Sequence, residues 1–256
     1  GPQEWTSDRR DWVGGIAGEL LGHFRIELYA YALLANGVHL VLRPRPDLAQ
    51  KMDAEQVARA GHASMPIRGG TNNAAMPMTR ELLDHLAETE DWLAEYRQRL
   101  GSISWFMRCF KQRVSQRANR EDGALGHFWD TRFSSAPLDE RTDILAAMAQ
   151  VDALAYLGGA SKSPETSPYT SLRARLSRPA LADSPESALA DCLHPEDRLA
   201  SGSRQRSGTA SYRLTPEHYA HLVRAGCGLE RSLGPAGVLV ACDLDGWRAR
   251  VDHRQG

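Results

Sequence analysis

Three groups of residues in this 256-residue chain have types and spacings that chemistry could use. The first is an imidazole in an extended run. In "YALLANGVHLVLRP", residues 31–44, His39 follows Gly37 by two positions, and on a strand residues two apart share a face. A metal-binding pair here would come from positions 37 and 39, and position 37 is glycine. One imidazole holds no Mg²⁺ or Mn²⁺ without carboxylate or water partners, so His39 is a weak metal candidate and more simply a structural histidine. The second group is cationic. "SWFMRCFKQRVSQRANR", with the Ile103 before it, sets Ile103, Phe106, Met107, Phe110 and Val114 in a stripe at helical spacing. Arg108, Lys111, Arg113, Arg117 and Arg120 take other positions, with no acid before Glu121. Such a surface can hold phosphates, or it can be a solvated face paired with acids of neighbouring helices. The third group, "GHFWDTRF", interleaves His127, Phe128, Trp129 and Phe133 with Arg132. That mixture suits stacking against unpaired bases beside a backbone-binding groove, or plain core packing.

Other chemistry-bearing residues carry less. His218 and His221, three apart in "EHYAH", share a helix face but have no third ligand in view, and "CDLDGW" offers too few ligands for a calcium loop.

The elements that must position these groups follow from periodicity. Residues 7–23 place Trp12, Ile16 and Leu20 four apart, which predicts an amphipathic helix weakened by Gly14, Gly15 and Gly18. Two extended runs, 24–35 and 38–43, flank Asn36-Gly37, a pair that tolerates the positive φ of a type I′ hairpin turn. Residues 44–78 read as an irregular insertion outside the core, with one short helical piece at 54–60. "TRELLDHLAETEDWLAEYRQRL" and the basic segment are helical, capped by Thr79 and by Ser102 or Ser104. "GHFWDTRFSSAPL" alternates as a strand, and 139–157 predicts a further helix. Residues 158–208 are Ser-, Pro- and Ala-rich and read as linker with a short helix at 187–192. Residues 209–256 form a small C-terminal extension, with a helix from the Thr215-Pro216-Glu217 cap to Ala225 and an apolar run at 238–241.

Composition bounds the answer. With 42% hydrophobic and 25% charged residues the chain can bury a real core, which excludes disorder for most of it. A net charge of −1 excludes a protein that is basic throughout, so any nucleic-acid surface is local. Cys109, Cys192, Cys227 and Cys242 form no C-x-x-C pair and read as reduced thiols of a cytoplasmic protein. No apolar run approaches the roughly 20 residues of a membrane span.

In this order, "YALLANGVHLVLRPRPDLAQ", "DAEQVAR", "LGSISWFMRCFKQRVSQRANREDGALGHFWDTRFSS" and "SPYTSL" resemble the bacterial transposase family related to the REP-associated tyrosine transposases, single-tyrosine members of the HUH nuclease group. The likeness runs from about Trp12 to Leu172 and extends weakly to "LTPEHYAHLV". It implies an α+β fold, a ferredoxin-like antiparallel sheet with packed helices, binding single-stranded or hairpin DNA. In intact relatives two histidines flanking one hydrophobic residue bind a divalent metal, and a helix-borne tyrosine attacks the phosphate it polarises. Carried over, the first histidine falls on Gly37 and the second on His39. The tyrosine falls, by its offset from Asn119, on Val114.

The resemblance therefore implies residues 1–157 as a transposase-like DNA-binding domain without an intact catalytic set. No cofactor is expected, no membrane partner, and a homodimer is compatible with it. DNA contacts are expected from Arg108, Lys111, Arg113, Arg117, Arg120, Trp129 and Arg132. Two alternatives stand beside this reading. One is an active nuclease that recruits substitutes, with Tyr96 as nucleophile and His39 plus a carboxylate on Mg²⁺ or Mn²⁺; the other is a protein-interaction module derived from a transposase. Tyr96, four residues after Trp92, is more simply a packing residue.

Overall fold

In the computed structural model the described residues are 5–69, 71, 73–126, 128–129, 132–138, 141–177, 193, 215–228 and 239–241. They form a mixed α+β structure, mostly helical, with a small antiparallel sheet. The chain divides into two units. One comprises Gly1–Gly15, Leu28–Arg43 and Trp129–Gly256, the other Ile16–Glu27 and Pro44–Phe128.

Helix α1, Ser7–His23, has the bounds its periodicity predicts, and three interior glycines do not break it. The first unit is built on strands β1, Ile26–Leu34, and β2, Gly37–Pro44. Both are buried along most of their length, which is why they read as continuous apolar runs and not as alternating ones. The turn between them differs from expectation. It is made by Ala35 and Asn36, and neither Asn36 nor Gly37 has positive φ. A type I′ turn centred one residue earlier would force Ala35 to positive φ, where its Cβ clashes, so that turn type is not used.

Strand β5, Leu239–Ala241, pairs antiparallel with β2, setting His39 opposite Ala241 and Val41 opposite Leu239. Helix α7, Arg141–Leu157, and helix α9, Pro216–Gly228, supply Met148, Val151, Tyr219 and Val223 to a core that also holds Tyr29, Ala32 and Val41. The C-terminal helix is thus a core element of this unit and no appendage. Its Tyr219 is among the largest fully buried side chains.

The segment after α7 is not linker either, as far as it is described. Helix α8, Ser171–Ser177, begins against α7, and Ser167, Thr170, Ser171 and Leu172 are buried. Asp152, fully buried on α7, holds this segment in place. Its carboxylate accepts from Ser171 Oγ (2.8 and 2.7 Å), from the Leu172 amide (2.8 Å) and from Tyr219 OH (2.6 Å). Burial pushes the carboxyl pKa up, while the nearby Arg175 and the three donors pull it back. The composition hides this because the buried groups are polar and satisfy one another. The expected helix at 187–192 and the "CDLDGW" turn lie outside the described residues.

The second unit holds α2, Pro46–Gln50; α3, Ala54–Ser64; a small hairpin of β3, Arg68–Gly69, and β4, Ala74–Ala75; and helices α4, Arg80–Glu88, α5, Glu90–Leu100, and α6, Ile103–Glu121. The region expected to be an insertion is therefore a core layer. Helix α3 opens with a capping box between Asp53 and Gln56 and buries Val57, Ala58, Ala60 and Gly61. Ala58 packs with Leu83 and Leu86 of α4. The single helix expected over α4 and α5 is split at Thr89, whose hydroxyl bonds back to the His85 carbonyl (2.7 Å). Thr79 caps α4 as expected, accepting from the Leu82 amide (3.2 Å). Ser102 caps α6 with its backbone and makes no side-chain cap bond. The strand expected at 126–138 is not formed among the described residues, where only Ser134 makes an isolated bridge. Gly126, at φ +129°, turns the chain at its start, and Pro137 lacks an N–H for a ladder.

Candidate nucleic-acid interface

Helix α6 carries the basic segment. Of the expected stripe Phe106, Met107, Phe110 and Val114 are fully buried, joined by Ala118, while Ile103 at the start of the helix is half-buried; Phe106 meets Phe24 edge-on (5.5 Å between centroids). Val114 is one of these core residues, so the position to which the resemblance assigns the nucleophile points into the interior of the second unit. Gly37 and His39 belong to the first unit. His39 is buried on β2, and among the described residues no group of three or more His, Cys, Asp or Glu side chains could hold a metal ion.

The five cations of α6 do not share a face. At about 100° per residue, Arg113, Arg117 and Arg120, spaced four and three apart, lie together, while Arg108 and Lys111 lie on another side. Arg113 is committed to the fold. Its guanidinium pairs with Glu19 (2.8 Å) and donates to the carbonyls of Ala63 and Ser64 at the end of α3. The Arg113 side chain is only 23% exposed. Arg117 is exposed and pairs with Glu121 one turn on (3.2 Å). Arg108 and Arg120 are exposed and, among the described residues, make no ion pair or hydrogen bond. Lys111 is half-buried.

This separates two kinds of arginine that the sequence presents alike. Replacing Arg113 by alanine is expected to destabilise the second unit by about 1–3 kcal/mol, because partly buried carbonyls at the α3 terminus lose their donor. Replacing Arg120 should leave the thermal midpoint unchanged within error. Equal midpoints for both variants would show that Arg113 has no structural role.

Trp129 and Arg132 belong to the first unit. Trp129 is half-buried and packs edge-on against Trp5 (5.8 Å, 72°), and Arg132 is exposed. His127 lies outside the described residues. Tyr96, the substitute nucleophile considered above, is buried and stacked on Trp92 (3.8 Å, 17°), the packing role its spacing suggested. His218 and His221 are exposed on α9.

Two further residues, Trp105 and Arg99, lie near the cations. Trp105 on α6 is half-buried, and the guanidinium carbons of Arg99 and Arg108 sit over its ring at 4.2 and 4.7 Å from the centroid. The three-residue spacing of Trp105 and Arg108 was a usable signal, since such pairs are neighbours on a helix surface. The contribution of Arg99 from α5 was not legible. Compared with protein-family models, with curated proteins and with solved structures, the chain finds no match.

Proposed function

We propose that this protein binds single-stranded or hairpin DNA through the exposed cations of α6, as a transposase-like protein of the bacterial cytoplasm that does not nick its DNA. The observation that carries the reading is α6 itself: Phe106, Met107, Phe110 and Val114 of its apolar stripe are fully buried, while Arg108, Arg117 and Arg120 reach solvent with no acid in the helix before Glu121. A ferredoxin-like HUH sheet is part of the proposal, supported by the buried β1–β2 hairpin with α7 and α9 packed on its core. Loss of nicking follows from the side chains at the matched positions. Valine has no lone pair with which to attack phosphorus, and glycine at 37 gives no metal ligand. No metal or other cofactor is required for binding. A homodimer is compatible with the proposal.

A second reading, an interaction module, draws on the internal pairing of Arg113 with Glu19 and of Arg117 with Glu121, which uses cations within the fold.

Fluorescence anisotropy of labelled single-stranded, hairpin and duplex DNA, at about 50 and 200 mM salt, tests the two. Single strands or hairpins are expected to bind more tightly than duplex, with a log–log salt slope of about −0.7 per phosphate contact. A denaturing gel should show neither cleavage nor a covalent adduct with Mg²⁺ or Mn²⁺ present. Absence of affinity for every DNA form at low salt would favour the interaction module. A protein-linked oligonucleotide would overturn the loss of nicking.

A further inference from the structure

We propose that Trp105, flanked by Arg99 and Arg108, is the base-stacking site of the second unit, where one unpaired base rests on the indole and Arg108 moves to the adjoining phosphate. The inference rests on the DNA-binding reading above and names the residue that makes it selective for unpaired strands.

Trp105 ends a series of contacts in which rings and guanidinium groups succeed one another. Trp92 stacks on Tyr96, Arg99 lies over the Tyr96 ring (4.7 Å) and also over Trp105, and Arg108 lies over Trp105. The inner members are held. Tyr96 is buried against Gly61, and Arg99 is paired with Glu95 and largely buried. Arg108 is the exception: it is exposed, and among the described residues it makes no ion pair or hydrogen bond, so its ring contact is what locates it.

That asymmetry makes Arg108 a replaceable cover. A cation–π contact in water is weaker than a base stacked on an aromatic ring, so a base can take the place of the guanidinium at a net gain. The displaced cation is then beside a phosphate one bond system away from the base it admitted. Lys111, three residues further on, lies on the same side of the helix for the next phosphate. The acid of this cluster, Glu95, is already committed to Arg99. A carboxylate of a protein partner would engage Arg108 and leave the indole idle, whereas a nucleotide uses ring and cation together. Trp129, already packed against Trp5, is less suited to the task.

The test measures the full chain against a labelled oligothymidylate of about twelve nucleotides and against duplex DNA. Trp105→Leu is expected to weaken single-strand binding about tenfold or more, leave duplex binding nearly unchanged and preserve the salt slope, since stacking releases no counterion. Trp105→Phe should recover most of the loss. Arg108→Gln should weaken binding to both forms and flatten the slope by about 0.7 on the single strand. If the wild type binds and Trp105→Leu binds equally well, this inference fails and the DNA-binding reading stands; if the wild type binds no DNA, both fail. Should Trp105→Leu not fold, photo-crosslinking of a bromodeoxyuridine strand to the wild type decides: adducts at Trp105 support the site, and adducts only elsewhere overturn it.

Discussion

Replacing Asp152 by alanine should cost about 3–5 kcal/mol, because each buried donor left without an acceptor costs about 1–3 kcal/mol. Three donors converge on that carboxylate, from Ser171, Leu172 and Tyr219, and they join α7, α8 and α9. The Ser171 hydroxyl can rotate to another acceptor, but the Leu172 amide and the Tyr219 phenol are fixed by their backbone and ring. Ser171→Ala should therefore cost less than the loss of Asp152. Asp152→Asn should fall between, since one carbonyl oxygen survives while the amide nitrogen faces donors. Thermal and urea unfolding read the effect. An Asp152→Ala midpoint within about 2 °C of the wild type, where such a loss should move it several degrees, would mean that the three contacts contribute nothing net.

Alanine at position 61 should also destabilise, by about 1–3 kcal/mol through overpacking, although alanine is intrinsically about 1 kcal/mol better than glycine inside a helix. The reason is contact. A Cβ on Gly61 would stand 2.5 Å from Cδ1 of Tyr96 and 2.8 Å from Cη2 of Trp92. Tyr96 has little room to yield, being buried and stacked. The same change at Gly15, inside α1 with nothing within 4 Å of the added carbon, should stabilise. Adding Tyr96→Leu to Gly61→Ala should recover part of the loss, the non-additivity expected of touching residues. Gly61→Ala and Gly15→Ala shifting the thermal midpoint in the same direction would show that the close approach of α3 and α5 is not limiting.

Part of the fold could be read from periodicity, because α6 commits a stripe of apolar residues to a core, whereas α7 is buried over most of its circumference and reads as helix from its continuous apolar run. Helix α3 was foreshortened for a physical reason. Its inner face past Ala60 consists of Gly61, His62 and Ser64, which pack closely without being hydrophobic. The stretch around "SPYTSL" read as linker because polar side chains suggest solvent, whereas here Ser167, Thr170 and Ser171 are buried, with Ser171 bonded directly to the carboxylate of Asp152. Asn36-Gly37 gave the hairpin and misled on the turn, which sits one residue earlier on Ala35-Asn36. For the candidate site, the positions of the cations were legible and their employment was not. Arg113 and Arg108 differ only in what folding brings next to them, Glu19 and two carbonyls in one case, an indole in the other.

The interleaving of the two units along the chain sets an order of synthesis. Everything assigned to the second unit, including α6 and its cations, has been made once Phe128 is added. The first unit waits for α9, whose Val223 completes its core roughly a hundred residues later. At about 5–20 residues per second, that interval is some 5–20 s on the ribosome. During it the hairpin of β1 and β2 can be joined by Met148 and Val151 of α7 but not yet by Tyr219 and Val223, so the core around Ala32 and Val41 is incomplete. The nascent chain therefore carries the finished cationic helix α6 while the core of its first unit still lacks the residues that close it.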